Sequence, residues 1–211
     1  MDGLLSRSGL LAALAFSLAW PAGQAGAANV SKTYSYFAVR GNTLDEIENE
    51  LNRRGPHVES TGERHPGATQ MEFTTRIAYA ESPASCTLVS ANVTVRAKVI
   101  LPRWQPRGRA DRGTRLIWDT LSADIKRHEE SHVSIAKSSA RTLEDQLKSI
   151  GRQRNCQVAA QKARQISERV LAQHDRNQAE FDRVEGMNFE NRIIRLLRYR
   201  IERIQASKQS S

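Results

Sequence analysis

Apolar and polar residues alternate from Met71 to Tyr79. Met71, Phe73, Thr75, Ile77 and Tyr79 fall on one side; Glu72, Thr74, Arg76 and Ala78 fall on the other. A period of two residues is that of a β-strand with one buried face. The pattern returns with Val93, Val95, Ala97, Val99 and Leu101 set against Thr94, Arg96 and Lys98. A turn carrying Pro83 and Cys86 is expected between them, so the two segments predict a hairpin of a small antiparallel sheet. Thr33–Val39 adds a third segment of strand composition.

Elsewhere the period lengthens. Thr43-Leu44-Asp45-Glu46 reads as a capping box opening a short helix, with Leu44, Ile47 and Leu51 as its apolar stripe and Gly55-Pro56 as its stop. Residues 56–69 carry Gly62, Pro66 and Gly67 and read as a loop, with His57 and His65 as surface histidines at its ends. Residues 103–115, rich in Arg, Gly and Pro, read as a basic connector. A long helix is expected from Asp119 or Thr120 to Ile150, stopped by Gly151. A second helix starts near Asn155, with the stripe Cys156, Ala159, Ala163, Ile166, Val170, His174, Phe181 and Val184. The pair forms a helical hairpin turning around residue 153. Beyond Met187, Ile193, Ile194, Leu196, Leu197, Ile201 and Ile204 alternate with five arginines in a basic amphipathic helix. It is expected to pack on the domain, to pair with a partner or to lie on an anionic membrane surface, in that order. The fold class is therefore α+β: a small antiparallel sheet packed with a long helical hairpin.

The candidate chemistry sits on the first arm of that hairpin. His128-Glu129-Glu130-Ser131-His132 is H-E-x-x-H. Histidines four apart on a helix share a face and reach one zinc ion, with the intervening glutamate placed to act as a general base. His128 and His132 continue the stripe Leu121, Ile125 and Ile135, which predicts that both point inward. Two buried imidazoles need polar partners, and Zn2+ is one such partner. In a straight antiparallel hairpin centred on 153, positions 132 and 174 lie level, because both helices rise equally per residue. That makes His174 a geometric candidate for a third metal ligand; the alternative is a seam histidine bonded to backbone or carboxylate.

Composition places this domain in an exported chain. Of the 211 residues 39% are hydrophobic, enough for one domain with a core. Arg7, the apolar run Leu10–Trp20 and Ala25-Gly26-Ala27 read as a signal peptide over residues 1–27, cleaved after Ala27. The expected location is thus periplasmic or secreted. There Cys86 and Cys156 form a disulfide, closing a loop worth about 4 kcal/mol, unless they remain two buried thiols. The net charge of +9 draws such a protein toward anionic lipid or cell-wall polymer. With 6% aromatic residues and no interleaving of aromatics with bases, no nucleic-acid module is expected.

Several segments together resemble a known family. They are Val39-Arg40-Gly41, Gly55-Pro56, Cys86 before the strand ending Leu101-Pro102-Arg103-Trp104, Trp118, His128 to Val133, and Phe181-Asp182-Arg183. In this order they resemble, from about Tyr34 to Met187, a bacterial family of uncharacterised exported proteins described as predicted secreted zinc-dependent proteases. The resemblance implies a zincin-like domain over residues 28–187, with residues 188–211 as an appended helix. It implies a zinc-dependent peptidase acting on a peptide or protein substrate, with Glu129 as the catalytic base. The family pattern continues after its aromatic-Asp pair to a Thr and a His-Gly; here Glu185 and Met187 stand at the Thr and His positions. The third ligand then falls to Asp182, Glu185 or His174; the resemblance favours Asp182 and the hairpin geometry His174. The missing histidine also fits a rival expectation, a non-catalytic envelope protein with a structural or degenerate metal site and a helix that contacts a partner or membrane.

Overall fold

The computed structural model describes residues 29–59 and 61–209. The expected signal peptide and its cleavage point lie outside them. The elements run β1 (Asn29–Val39), α1 (Leu44–Arg54), β2 (His57–Val58), β3 (Glu63–Arg64), β4 (Ala68–Ser82), β5 (Ser85–Trp104), α2 (Arg112–Lys148), β6 (Arg152–Gln153), α3 (Cys156–Met187) and α4 (Phe189–Gln209). The architecture is α+β, with the α2–α3 hairpin laid on one face of the sheet.

The β4–β5 hairpin forms as its alternation predicts, but longer, with the turn at Pro83-Ala84 and Cys86 already inside β5. The register shifts after Ala78, which pairs with Ser90 while Tyr79 pairs with Leu88. Val89 is the extra residue and lies exposed. The sheet is mixed rather than purely antiparallel. Its order is β1-β5-β4, and β1 runs parallel to β5 from Asn29 opposite Thr94 to Val39 opposite Trp104. The cause is connectivity. The α1 and β2–β3 segment carries the chain across the end of β5 instead of turning tightly back, so β1 and β4 flank β5 in opposite directions. Thr43 caps α1 through the expected capping box with Glu46.

Helix α2 starts well before Asp119. Asp111 accepts hydrogen bonds from the backbone of Gly113 and Thr114, at 2.7 and 3.0 Å, and so caps a helix whose first turns hold Arg112, Gly113 and Arg115. The arginine-rich stretch masked that start. Its buried stripe also differs from the one expected. Trp118, Ile125, Glu129, Val133, Ala136, Ala140, Leu143 and Leu147 face the sheet. The two histidines sit on the adjacent flank, toward α3. Small residues at Ala136, Ala140 and Ala163 let the two helices approach above Val93 and Val95.

Glu144 lies buried in this layer and accepts the Val93 backbone N–H at 3.1 Å, just beyond the last β5 residue paired with β1. Lys148 donates to the same carboxylate at 2.5 Å. Burial alone would push the Glu144 carboxyl up, but these donors hold it below its ordinary value.

Asn155 caps α3 by accepting from Val158 N at 2.9 Å, and Cys156 is joined to Cys86 in a disulfide closing 70 residues. The bond ties the start of β5 to the first turn of α3, beside the short β5–β6 pairing. We expect a Cys86→Ala/Cys156→Ala double variant to lose about 4 kcal/mol in urea unfolding, because the reduced chain regains the closed loop's entropy. A loss below about 1 kcal/mol would show that the packed layers hold without it.

Candidate metal centre

The structure brings together His128 and His132 on α2 and Asp182 on α3. His128 Nε2 and His132 Nε2 lie 3.1 and 3.0 Å from the same oxygen, Asp182 Oδ1, and 3.1 Å from each other. Ligands bound at about 2.0–2.1 Å around a tetrahedral ion lie about 3.3–3.4 Å apart, so this triangle is within a few tenths of an ångström of closure on a zinc-sized ion. Phe181 walls the cluster, with ring centroids 5.0 Å from His128 and 5.1 Å from His132. Burial opposes ionisation of the Asp182 carboxyl, but without a metal the hydrogen bonds and charge of the two protonated imidazoles outweigh it and hold the carboxyl far below the usual carboxylate range.

The outer contacts set which nitrogen faces the cluster. Gln178 Nε2 donates to the His132 carbonyl at 3.2 Å, which turns Gln178 Oε1 onto His132 Nδ1 at 2.6 Å. Nδ1 then carries a proton, and Nε2 is the nitrogen that faces the cluster; in the neutral ring its lone pair is free for a cation. His128 repeats the arrangement more loosely, with Nδ1 3.7 Å from Glu185 Oε2. Two imidazole nitrogens and a carboxylate oxygen converging on one point, with His132 braced by Gln178, fit a divalent cation.

His174 does not join this triangle, which among the described residues consists of His128, His132 and Asp182. It is buried, edge-on to Phe73 at 4.9 Å, with Nε2 3.4 Å from Gln178 Nε2. The levels explain why. The facing pairs 128/182 and 132/178 are both centred on residue 155 rather than 153. An extended connector including β6 carries the chain past the end of α2 before α3 begins. Moving the centre by two residues moves the partner by four, one helical turn, from His174 to Gln178. Glu185 is turned toward Arg127 and Arg192, and Met187 is exposed at the end of α3. His57 lies on β2, away from the cluster; His65 Nε2 meets Thr61 Oγ1 at 2.7 Å, and His65 also lines the cavity beside the cluster.

Glu129 lies on the sheet-facing stripe and is buried. Thr69, on β4, donates to its Oε2 at 2.8 Å and to its backbone carbonyl at 3.1 Å. Burial pushes the carboxyl above its ordinary range, against the Thr69 hydrogen bond and the two imidazoles. A Cβ at Gly67 would lie 2.9 Å from Glu129 Oε1 and 2.8 Å from Ile125 Cγ2, so any larger residue in the loop before β4 would have to push this carboxylate and Ile125 aside. Glu129, His128 and Asp182 together line one cavity of about 260 Å3.

Behind that cavity, α4 reaches back to α2. Arg192 donates to Asp124 through Nε at 3.0 and 3.2 Å and through Nη2 at 3.2 Å, and its Nη1 donates to the Glu185 carbonyl at 3.3 Å. Arg127 bonds both Asp124, at 2.9 Å, and Glu185. Two guanidinium groups and two carboxylates thus close on one another. Reading the sequence missed Gln178 and Thr69 and the Asp124–Arg127–Arg192 contacts; it named Phe181, Gly67 and Glu185, but not as the wall, the close approach and the ion-pair partner that they form. The spacing 174, 178, 181, 182, 185 along one face of α3 is the signal that marks three of those contacts.

The fold and cluster define an α+β protein with a two-histidine, one-carboxylate candidate metal centre on a helical hairpin. A family model described as bacterial protein of unknown function (DUF922) matches residues 34–189, and the chain belongs to that family. No curated protein and no solved structure matches it.

Proposed function

We propose that the protein is an exported zinc-dependent peptidase. The observation that carries this reading is the convergence of His128 Nε2, His132 Nε2 and Asp182 Oδ1 on one point, beside a cavity that Glu129 also lines. His128, His132 and Asp182 would hold the zinc ion, which would supply an electrophile for a peptide carbonyl and ease the ionisation of water near neutral pH. Glu129 takes the proton from the attacking water and returns it to the departing amine. Thr69 keeps the carboxylate turned toward the cavity, and Gln178 keeps His132 in the tautomer that can bind. The apolar run near the N-terminus and the Cys86–Cys156 bond support an extracytoplasmic setting.

Metal analysis of purified protein tests this together with a peptide-hydrolysis assay. One zinc per chain and hydrolysis lost with chelator are expected, and both should vanish in His128→Ala/His132→Ala. Equal zinc in the two proteins would end the reading. Stoichiometric zinc without cleavage of any peptide would favour the rival, a structural site in a non-catalytic envelope protein.

A further inference from the structure

The cavity beside the cluster has features that hydrolysis alone does not require. Its volume of about 260 Å3 is the room of about nine waters, below the range of pockets for drug-sized ligands, and suits a single side chain. Ile125, Pro66, Gly67, Gly186 and Phe189 give it apolar walls. The charged groups among its walls away from the cluster are already engaged with one another: Asp124 and Glu185 with Arg192 and, outside the cavity, Arg127. Away from the metal cluster, Glu129 and His65, whose Nε2 meets Thr61 Oγ1, a charged side chain entering here would give up water and meet only charges already paired, whereas an apolar one would lose nothing. Since His128, Glu129 and Asp182 form part of the same wall, whatever fills the cavity lies next to the reacting bond.

We propose that this cavity is the specificity subsite, taking one uncharged apolar side chain, branched aliphatic or phenyl, from the residue adjoining the scissile bond. The proposal rests on the peptidase reading above. Gly186 gives the test its variant. A Cβ there meets no atom within 4 Å, and the position is helical, so Gly186→Leu adds a side chain at the cavity wall without displacing backbone.

The probes are the hydroxamates of glycine, leucine, phenylalanine and aspartate, measured by calorimetry on the zinc-loaded full chain. Leucine and phenylalanine hydroxamates are expected to bind at least about tenfold more tightly than the glycine compound, with aspartate no tighter than glycine. In Gly186→Leu the advantage should disappear while glycine hydroxamate still binds. Equal affinities in the natural protein, a preference for aspartate, or an unchanged preference in Gly186→Leu would overturn the subsite and leave the metal centre standing. Failure of even glycine hydroxamate to bind would remove the peptidase reading and the subsite with it.

Discussion

Glu129→Gln is expected to lower kcat for peptide hydrolysis by roughly 10²–10⁴-fold while leaving zinc content and fold in place. Glutamine keeps the length of the side chain and an oxygen to accept the Thr69 hydroxyl, so the contacts at 2.8 and 3.1 Å can persist. What it loses is the ability to hold a proton. Stability should not fall, because the substitution removes a buried ionisable group whose charged form burial already disfavours. The effect belongs in kcat rather than KM, since the group acts on the transferred proton and not on the resting substrate. Steady-state kinetics, metal analysis and a urea midpoint on one preparation separate these quantities. A variant that still cuts at the natural rate would assign the proton transfer elsewhere.

Asp124→Ala is expected to cost about 3–5 kcal/mol of unfolding free energy, the largest stability loss we foresee from a single substitution. Asp124 is 4% exposed, and the Arg192 side chain 12%. Removing the carboxylate leaves a guanidinium without its main partner and frees the first turn of α4 from α2. Burial alone would raise the Asp124 carboxyl, but hydrogen bonds from Arg192 and Arg127 outweigh it and hold it below its ordinary value. The folded value thus lies below the unfolded one. The clamp therefore contributes fully above about pH 4 and loses its contribution as the pH falls through the folded value. Urea titrations from neutral to acid pH should show the gap between the natural protein and Asp124→Asn narrowing only below about pH 4. A gap that stays constant down to pH 2 would mean that the ionised form of Asp124 is not what holds α4.

Much of the frame could be read from the residues because it rests on local signals. Strict alternation located β4 and β5, the Thr43 and Asn155 caps located two helix starts, and H-E-x-x-H located the centre on α2. What escaped depends on contacts remote in sequence. Nothing local says that β1 lies beside β5 and pairs parallel to it. The start of α2 was hidden because Arg112, Gly113 and Arg115 resemble a loop until Asp111 is seen capping them. The stripe through His128 and His132 suggested one inward face, whereas α2 has two, and Glu129 rather than the histidines lies on the face toward the sheet. The third candidate ligand turned on a two-residue offset in the α2–α3 connector, which places Asp182 in the cluster and His174 behind Gln178. Arg192 is a surface-type residue in an amphipathic pattern, and only the docking of α4 brings it to Asp124.

The central claim is that these three side chains share one cation. A crystal structure grown with zinc, with anomalous scattering recorded at the zinc edge, tests it directly. The account predicts one peak within bonding distance of His128 Nε2, His132 Nε2 and Asp182 Oδ1, with His174 still behind Gln178. A peak elsewhere, or none when zinc is present in excess, would contradict it.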